Sequence, residues 1–100
     1  MSREEINELL LVELPEAKQS NVLSDALKSL FYVICRRTVE SDRYKFLNDD
    51  RKYDCVLNAY EACTKHAIKF NPEKSNDAYS YVNIIIRSSI AGTIIKLKKS

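Results

Sequence analysis

An all-α fold is what this sequence predicts, and three observations carry the prediction. Its 100 residues include one glycine and two prolines, too little turn chemistry for a chain of short strands. Apolar residues make up 45% and charged residues 30%, the balance of a folded chain rather than a disordered one. Apolar positions also recur at three- and four-residue spacing through most of the chain. The length fits a single domain, 1–100, with an acidic helix at 1–16 and a bundle with helices near 3–14, 20–39, 50–68 and 76–98.

The first helix is expected from Ser2 to Leu14. Ser2 and Glu5 have capping-box spacing, and Glu4 and Glu5 suit the positive end of the helix dipole. Ile6, Leu9, Leu10 and Glu13 mark one edge only two turns long, so this helix must dock on something. Pro15 either ends it or starts the next one, where a missing amide costs least. The second helix should run from Ser20 to Val39, with Leu23, Ala26, Leu27, Leu30, Phe31, Ile34 and Cys35 as its apolar face. Arg36 and Arg37 complement its negative end.

Glu40 to Lys52 is polar and reads as a loop, with Tyr44, Phe46 and Leu47 folded back on the core and Asp49-Asp50 capping the third helix. On that helix Asp54, Asn58, Glu61 and Lys65 form one polar stripe, opposite Val56, Ala59, Tyr60, Cys63 and Ala67. Ala59 and Ala62 are small enough to let another helix approach closely. Asn71-Pro72 stops it, and Ser75, Asn76 and Asp77 offer oxygens to cap the fourth helix. The fourth helix is rich in β-branched residues, which favour strands. Yet Val82, Ile86, Ile90, Ile94 and Leu97 stack at helical spacing, and Tyr81, Ile84, Ile85, Ser88 and Ile95 form a second face. A helix apolar on two faces is deeply buried or holds a partner.

Composition also excludes classes. The apolar runs are too short to span a membrane. Met1-Ser2-Arg3 leads straight into acidic residues, so no signal peptide is expected. Three cysteines without paired spacing suggest free thiols in a cytoplasmic setting. The net charge of +2 is unevenly spread: residues 1–16 hold one Arg and five Glu, a net of −4, which leaves +6 on the rest. A basic body can sit on a nucleic-acid backbone, though two ordinary solvated faces would look the same.

No phosphate-binding glycine loop, Ser-His-Asp order or His-Glu metal motif is present, so neither an enzyme nor a cofactor is expected. Cys55, Cys63 and His66 share roughly one helix face, but a helix separates the two thiols by about 12 Å, and the spacing matches no structural zinc pattern. Buried small hydrophobes account better for the cysteines.

Several spacings agree, in order, with a known family. Val33-Ile34-Cys35-Arg36-Arg37 resembles a hydrophobic helix ending in a basic pair. Asp54-Cys55-Val56, Lys69-Phe70, Tyr81, Ile86-Arg87 and Ile90 follow without a gap. Together they resemble region 2 of bacterial sigma factors, and more closely the reduced late-transcription sigma factor of T4-type phages, whose context is matched by Asn71, Glu73, Lys74, Ala78, Tyr79 and the trailing lysines. The resemblance covers residues 20–99. The loop at 40–52 is longer than the family's, and Ile84 and Ile85 stand where bacterial members place tryptophans.

The resemblance implies a sigma-like promoter-specificity factor acting in the cytoplasm of a bacterial host. Its third helix would dock on the clamp coiled coil of the RNA polymerase largest subunit through Asp54, Leu57, Asn58 and Glu61, with Tyr60 and Thr64 at the margin. Its fourth helix would engage the melted −10-like promoter DNA through Tyr79, Tyr81, Ile84, Ile85, Arg87, Ser88, Lys96, Lys98 and Lys99. Tyr81 supplies the stacking surface there, and the isoleucines wedge without stacking well. The sequence stops at Ser100 with nothing left for a −35-reading domain. The resemblance therefore leaves two options: a stripped promoter-specificity subunit that relies on other factors, accessory transcription factors among them, or a sigma-like domain with another job. The alternative is a helical protein that binds polymerase or a transcription factor and reads no DNA.

Overall fold

Ser2 opens the first helix as its sequence suggests. Its hydroxyl accepts from the Glu5 amide while the Glu5 carboxylate accepts from the Ser2 amide, a reciprocal capping box. The structure is a computed structural model, and it describes the backbone of residues 1–99 and the side chains of residues 1–96. Within them lie four α-helices: α1 (Arg3–Ser20), α2 (Asp25–Val39), α3 (Asp49–His66) and α4 (Ala78–Lys99), with single 3₁₀ turns at Asp42–Tyr44 and Ala67–Lys69. The described residues form no strand.

Three boundaries differ from expectation. Pro15 lies inside α1 rather than at its end. Ile6, Leu10, Leu14 and Ala17 form one buried line that runs past the proline, and the burial of that line helps offset the lost amide. The helix stops instead at Asn21, whose left-handed backbone (φ 59°) suits an Asn C-cap. Helix α2 therefore starts at Asp25, not Ser20, under a Ser24 cap whose hydroxyl accepts from the Leu27 amide and donates to Glu13 of α1 at 3.0 Å. Ala26 is exposed, and Thr38 and Val39 join Leu27, Leu30, Phe31, Ile34 and Cys35 as the buried residues of the helix. Asn48, not Asp49 or Asp50, caps α3, accepting from the Arg51 amide. The two aspartates occupy the first turn, where the dipole favours them.

The expected loop shortens to one 3₁₀ turn and its flanks. Tyr44 is buried and Leu47 half-buried, but Phe46 points out, 67% exposed.

Helix α4 forms despite its β-branched residues because one stripe, Ala78, Val82, Ile86, Ile90 and Thr93, is buried. Each large side chain so removed from water is worth ~1.5–3 kcal/mol, more than the helix-propensity deficit of a β-branched residue. The second apolar face divides. Tyr81 and Ile85 are half-buried against the core, whereas Ile84 and Ile95 are exposed. Helices α2 and α4 each pack against all three others, and α3 with α4 is the most extensive pair. Leu97, expected on the core stripe, has a side chain outside the described residues.

Candidate functional site

The corner before α4 sets where that helix begins. Asn71 accepts from the Glu73 amide and Ser75 from the Asp77 amide, local turns that replace helical bonds. Asp77 then caps α4, its carboxylate accepting from the Ser80 amide at 3.0 Å and the Ser80 hydroxyl at 2.7 Å. These two bonds from Ser80, with a smaller contribution from Arg3, hold the Asp77 carboxyl below the usual aspartate range. A second cap comes from α1. Asn7 accepts from the Tyr79 amide at 2.9 Å and donates to the Asn76 carbonyl at 3.0 Å.

Two surfaces follow. On α3, Asp54, Asn58, Glu61 and Lys65 are all exposed, with Leu57 beside them at 46% exposure. Lys65 donates to Glu61 at 2.9 Å, and that bond together with the lysine charge lowers the Glu61 carboxyl. Asn58 is partly engaged within the fold, donating to Thr93 of α4 at 3.1 Å. Tyr60 and Thr64 are half-buried. Tyr53, exposed at 60% one turn before Leu57, adds an apolar group that the polar-stripe reading passed over.

On α4 the expected nucleic-acid residues do not share one face. Ile84, Arg87, Ser88 and Lys96 are exposed, while Tyr79, Tyr81 and Ile85 are half-buried. Tyr81 packs against Phe70, ring centroids 5.3 Å apart and planes tilted by 59°. Tyr79 faces the other way, with the Arg3 guanidinium 4.7 Å above its ring. The side chains of Lys98 and Lys99 lie outside the described residues.

Tyr79 and Arg87 instead meet three arginines from elsewhere in the chain. Arg3 of α1, Arg37 of α2, Arg43 of the 3₁₀ turn and Arg87 of α4 surround an open cleft of about 310 Å³, together with Thr38, Ser41, Tyr44, Tyr79 and Asn83. Sequence reading missed this grouping. The four arginines come from four elements at no common spacing, and Arg3 lies in the acidic N-terminal segment.

Cys35, Cys55 and Cys63 are buried free thiols. A hydrogen bond shared with Cys63, then burial, raises the Cys35 thiol, and burial chiefly raises Cys55. His66 is exposed at the end of α3, and no group of three His, Cys, Asp or Glu side chains gathers among the described residues. Nor is any described helix long and apolar enough to cross a membrane. Comparison with protein-family models, with characterised proteins and with solved structures finds no match to this chain.

Proposed function

We propose that this chain is a sigma region 2-like promoter-specificity factor, which docks on the clamp coiled coil of RNA polymerase through α3 and engages a melted promoter strand through α4. One observation carries the reading. The α3 residues that the resemblance assigns to polymerase are all exposed in one row, although α3 also contributes Cys55, Val56, Ala59 and Cys63 to the core. Asp54 and Glu61 flanking Leu57 would offer two carboxylates and an apolar contact to a basic coiled coil, an arrangement that favours oriented association. On α4, Arg87 and Lys96 are available for phosphate, and exposed Ile84 for wedging.

The second reading, a polymerase- or transcription-factor-binding protein that reads no DNA, is favoured by the two tyrosines. Tyr81 is half-buried with its ring packed at a tilt against Phe70, and Tyr79 carries Arg3 over one face, so both rings are already engaged within the fold.

Asp54→Lys with Glu61→Lys tests the docking half. Core-polymerase capture should drop at least about tenfold with the helical circular-dichroism signal unchanged, because a charge-reversed row repels the basic partner. Full-strength capture would place the contact elsewhere. Anisotropy with a non-template −10 single strand, with and without core polymerase, then separates the readings: Tyr81→Ala weakens strand binding under the first and leaves only noise-level binding to compare under the second.

A further inference from the structure

The cleft at Arg3, Arg37, Arg43 and Arg87 shares Tyr79 and Arg87 with the α4 surface, but its other three arginines come from elements that neither surface above uses. No carboxylate lines it. Of the four arginines, only Arg3 has an acidic partner among the described residues, Asp77 at 3.9 Å, and Arg37 spends a donor on the neutral Met1 carbonyl. Arg43 and Arg87 form no ion pair with a described residue. Four guanidiniums around one hollow repel one another, and an anion bound among them would relieve that repulsion.

Its floor is fixed by neutral groups. The Thr38 hydroxyl donates to the Ile34 carbonyl at 2.8 Å and accepts from the Asn83 amide at 2.9 Å, tying α2 to α4. Ser41 donates to the Thr38 carbonyl at 2.6 Å. These bonds hold the two helices and the 3₁₀ turn in register, which fixes the backbone positions from which Arg37, Arg43 and Arg87 extend. Each guanidinium presents paired N–H donors that match phosphate oxygens, which a lysine ammonium does not.

We infer that this cleft is a binding site for a compact polyphosphate, the di- or triphosphate group of a nucleotide or its inorganic counterpart. Charge density decides against an internal phosphodiester. A nucleic-acid strand brings one negative charge per nucleotide, spread along its axis, and suits a linear row of cations. Here four cations from four elements converge on a single hollow of about 310 Å³, a volume at the small end of ligand sites. A triphosphate gathers three to four charges in such a space. Base recognition contributes little, because Tyr44 is buried and Tyr79 is covered on one face by Arg3.

The site stands independently of polymerase docking, which involves α3, and shares Arg87 with the α4 strand-binding surface, so the oligonucleotide arm below separates the two uses of that residue. Isothermal titration of the full chain at low salt tests it, using sodium tripolyphosphate, pyrophosphate and orthophosphate. ATP and AMP distinguish a nucleotide from the bare polyphosphate, and a single-stranded oligonucleotide without terminal phosphate is the diester competitor. Tripolyphosphate should bind with one-to-one stoichiometry and at least about tenfold more tightly than orthophosphate, and ATP at least about tenfold more tightly than AMP. ATP tighter than tripolyphosphate identifies the nucleotide as the ligand, and equal affinities identify the polyphosphate group alone. Arg43→Gln with Arg87→Gln should weaken tripolyphosphate by about tenfold or more, with circular dichroism confirming the fold. Arg36→Gln with Lys69→Gln removes the same charge outside the cleft and should change affinity by less than about twofold. The inference is overturned by any of three results: no saturable binding below about millimolar tripolyphosphate, equal losses in the two double variants, or displacement by the oligonucleotide at equal concentration of charge.

Discussion

Ile84 and Ile86 carry the same side chain two residues apart on α4, and one is 63% exposed while the other is fully buried. Their substitutions should differ accordingly. Ile86→Ala removes packed methylenes and leaves a cavity, a loss of about 2–5 kcal/mol, whereas Ile84→Ala should stay within about 0.5 kcal/mol. Urea denaturation of both variants measures the contrast, and similar midpoints would mean that α4 is turned differently on the core. Periodicity marks both residues as apolar but cannot say which of two apolar faces meets the other helices. The caps were more legible. Ser2 with Glu5, and Asp77 before α4, act through bonds to amides at most three residues away, so spacing alone points to them. Asp77 also has a pH signature. Its carboxyl is held below the unfolded value, so its contribution is complete above the ordinary aspartate range and fades as pH falls through the lowered value. Asp77→Ala should therefore cost ~1 kcal/mol at neutral pH, and the gap from the parent protein should narrow below the ordinary aspartate range, as read by thermal melts across pH.

At the scale of an element, α1 is the one that departs furthest from local rules. An interior proline lacks the amide that would bond back to Leu11, and its ring crowds the preceding turn. Helix α1 continues because Ala17 buries on the far side of Pro15 and Glu13 ties its second half to the Ser24 cap of α2. Pro15→Ala should then raise stability, by up to about 3 kcal/mol less whatever the half-buried ring contributes by packing. A lowered melting temperature would show that the proline ring itself fills the interface. The same competition explains why α4 is a helix. Its β-branched residues favour strands only weakly, and a buried stripe at helical spacing outweighs that preference.

Across the whole molecule, the first and last helices are joined by polar groups rather than by apolar contact alone. Asn7 and Asp77 lie 70 residues apart in sequence, yet both satisfy amides in the first turn of α4. Asn7→Ala and Asp77→Ala should be non-additive, with a coupling of about 0.5–3 kcal/mol in a double-mutant cycle, because either loss frays the same turn. Strict additivity would show two independent caps. Arg3 completes the link, donating to Ser80 at 2.8 Å while it covers Tyr79. An N-terminal segment that reads as simply acidic thus delivers its one arginine to the basic cleft. By itself the sequence determined that the chain is helical, where the corner before α4 falls, and which stripe of α3 stays polar, because periodicity and capping are set by neighbours within a turn or two. Only the tertiary structure decided that α1 runs through Pro15, that Ile84 faces solvent while Tyr81 packs on Phe70, and that four arginines from four elements share one cleft. Those outcomes depend on how helices far apart in the chain are rotated and packed against one another, and no local spacing encodes that rotation.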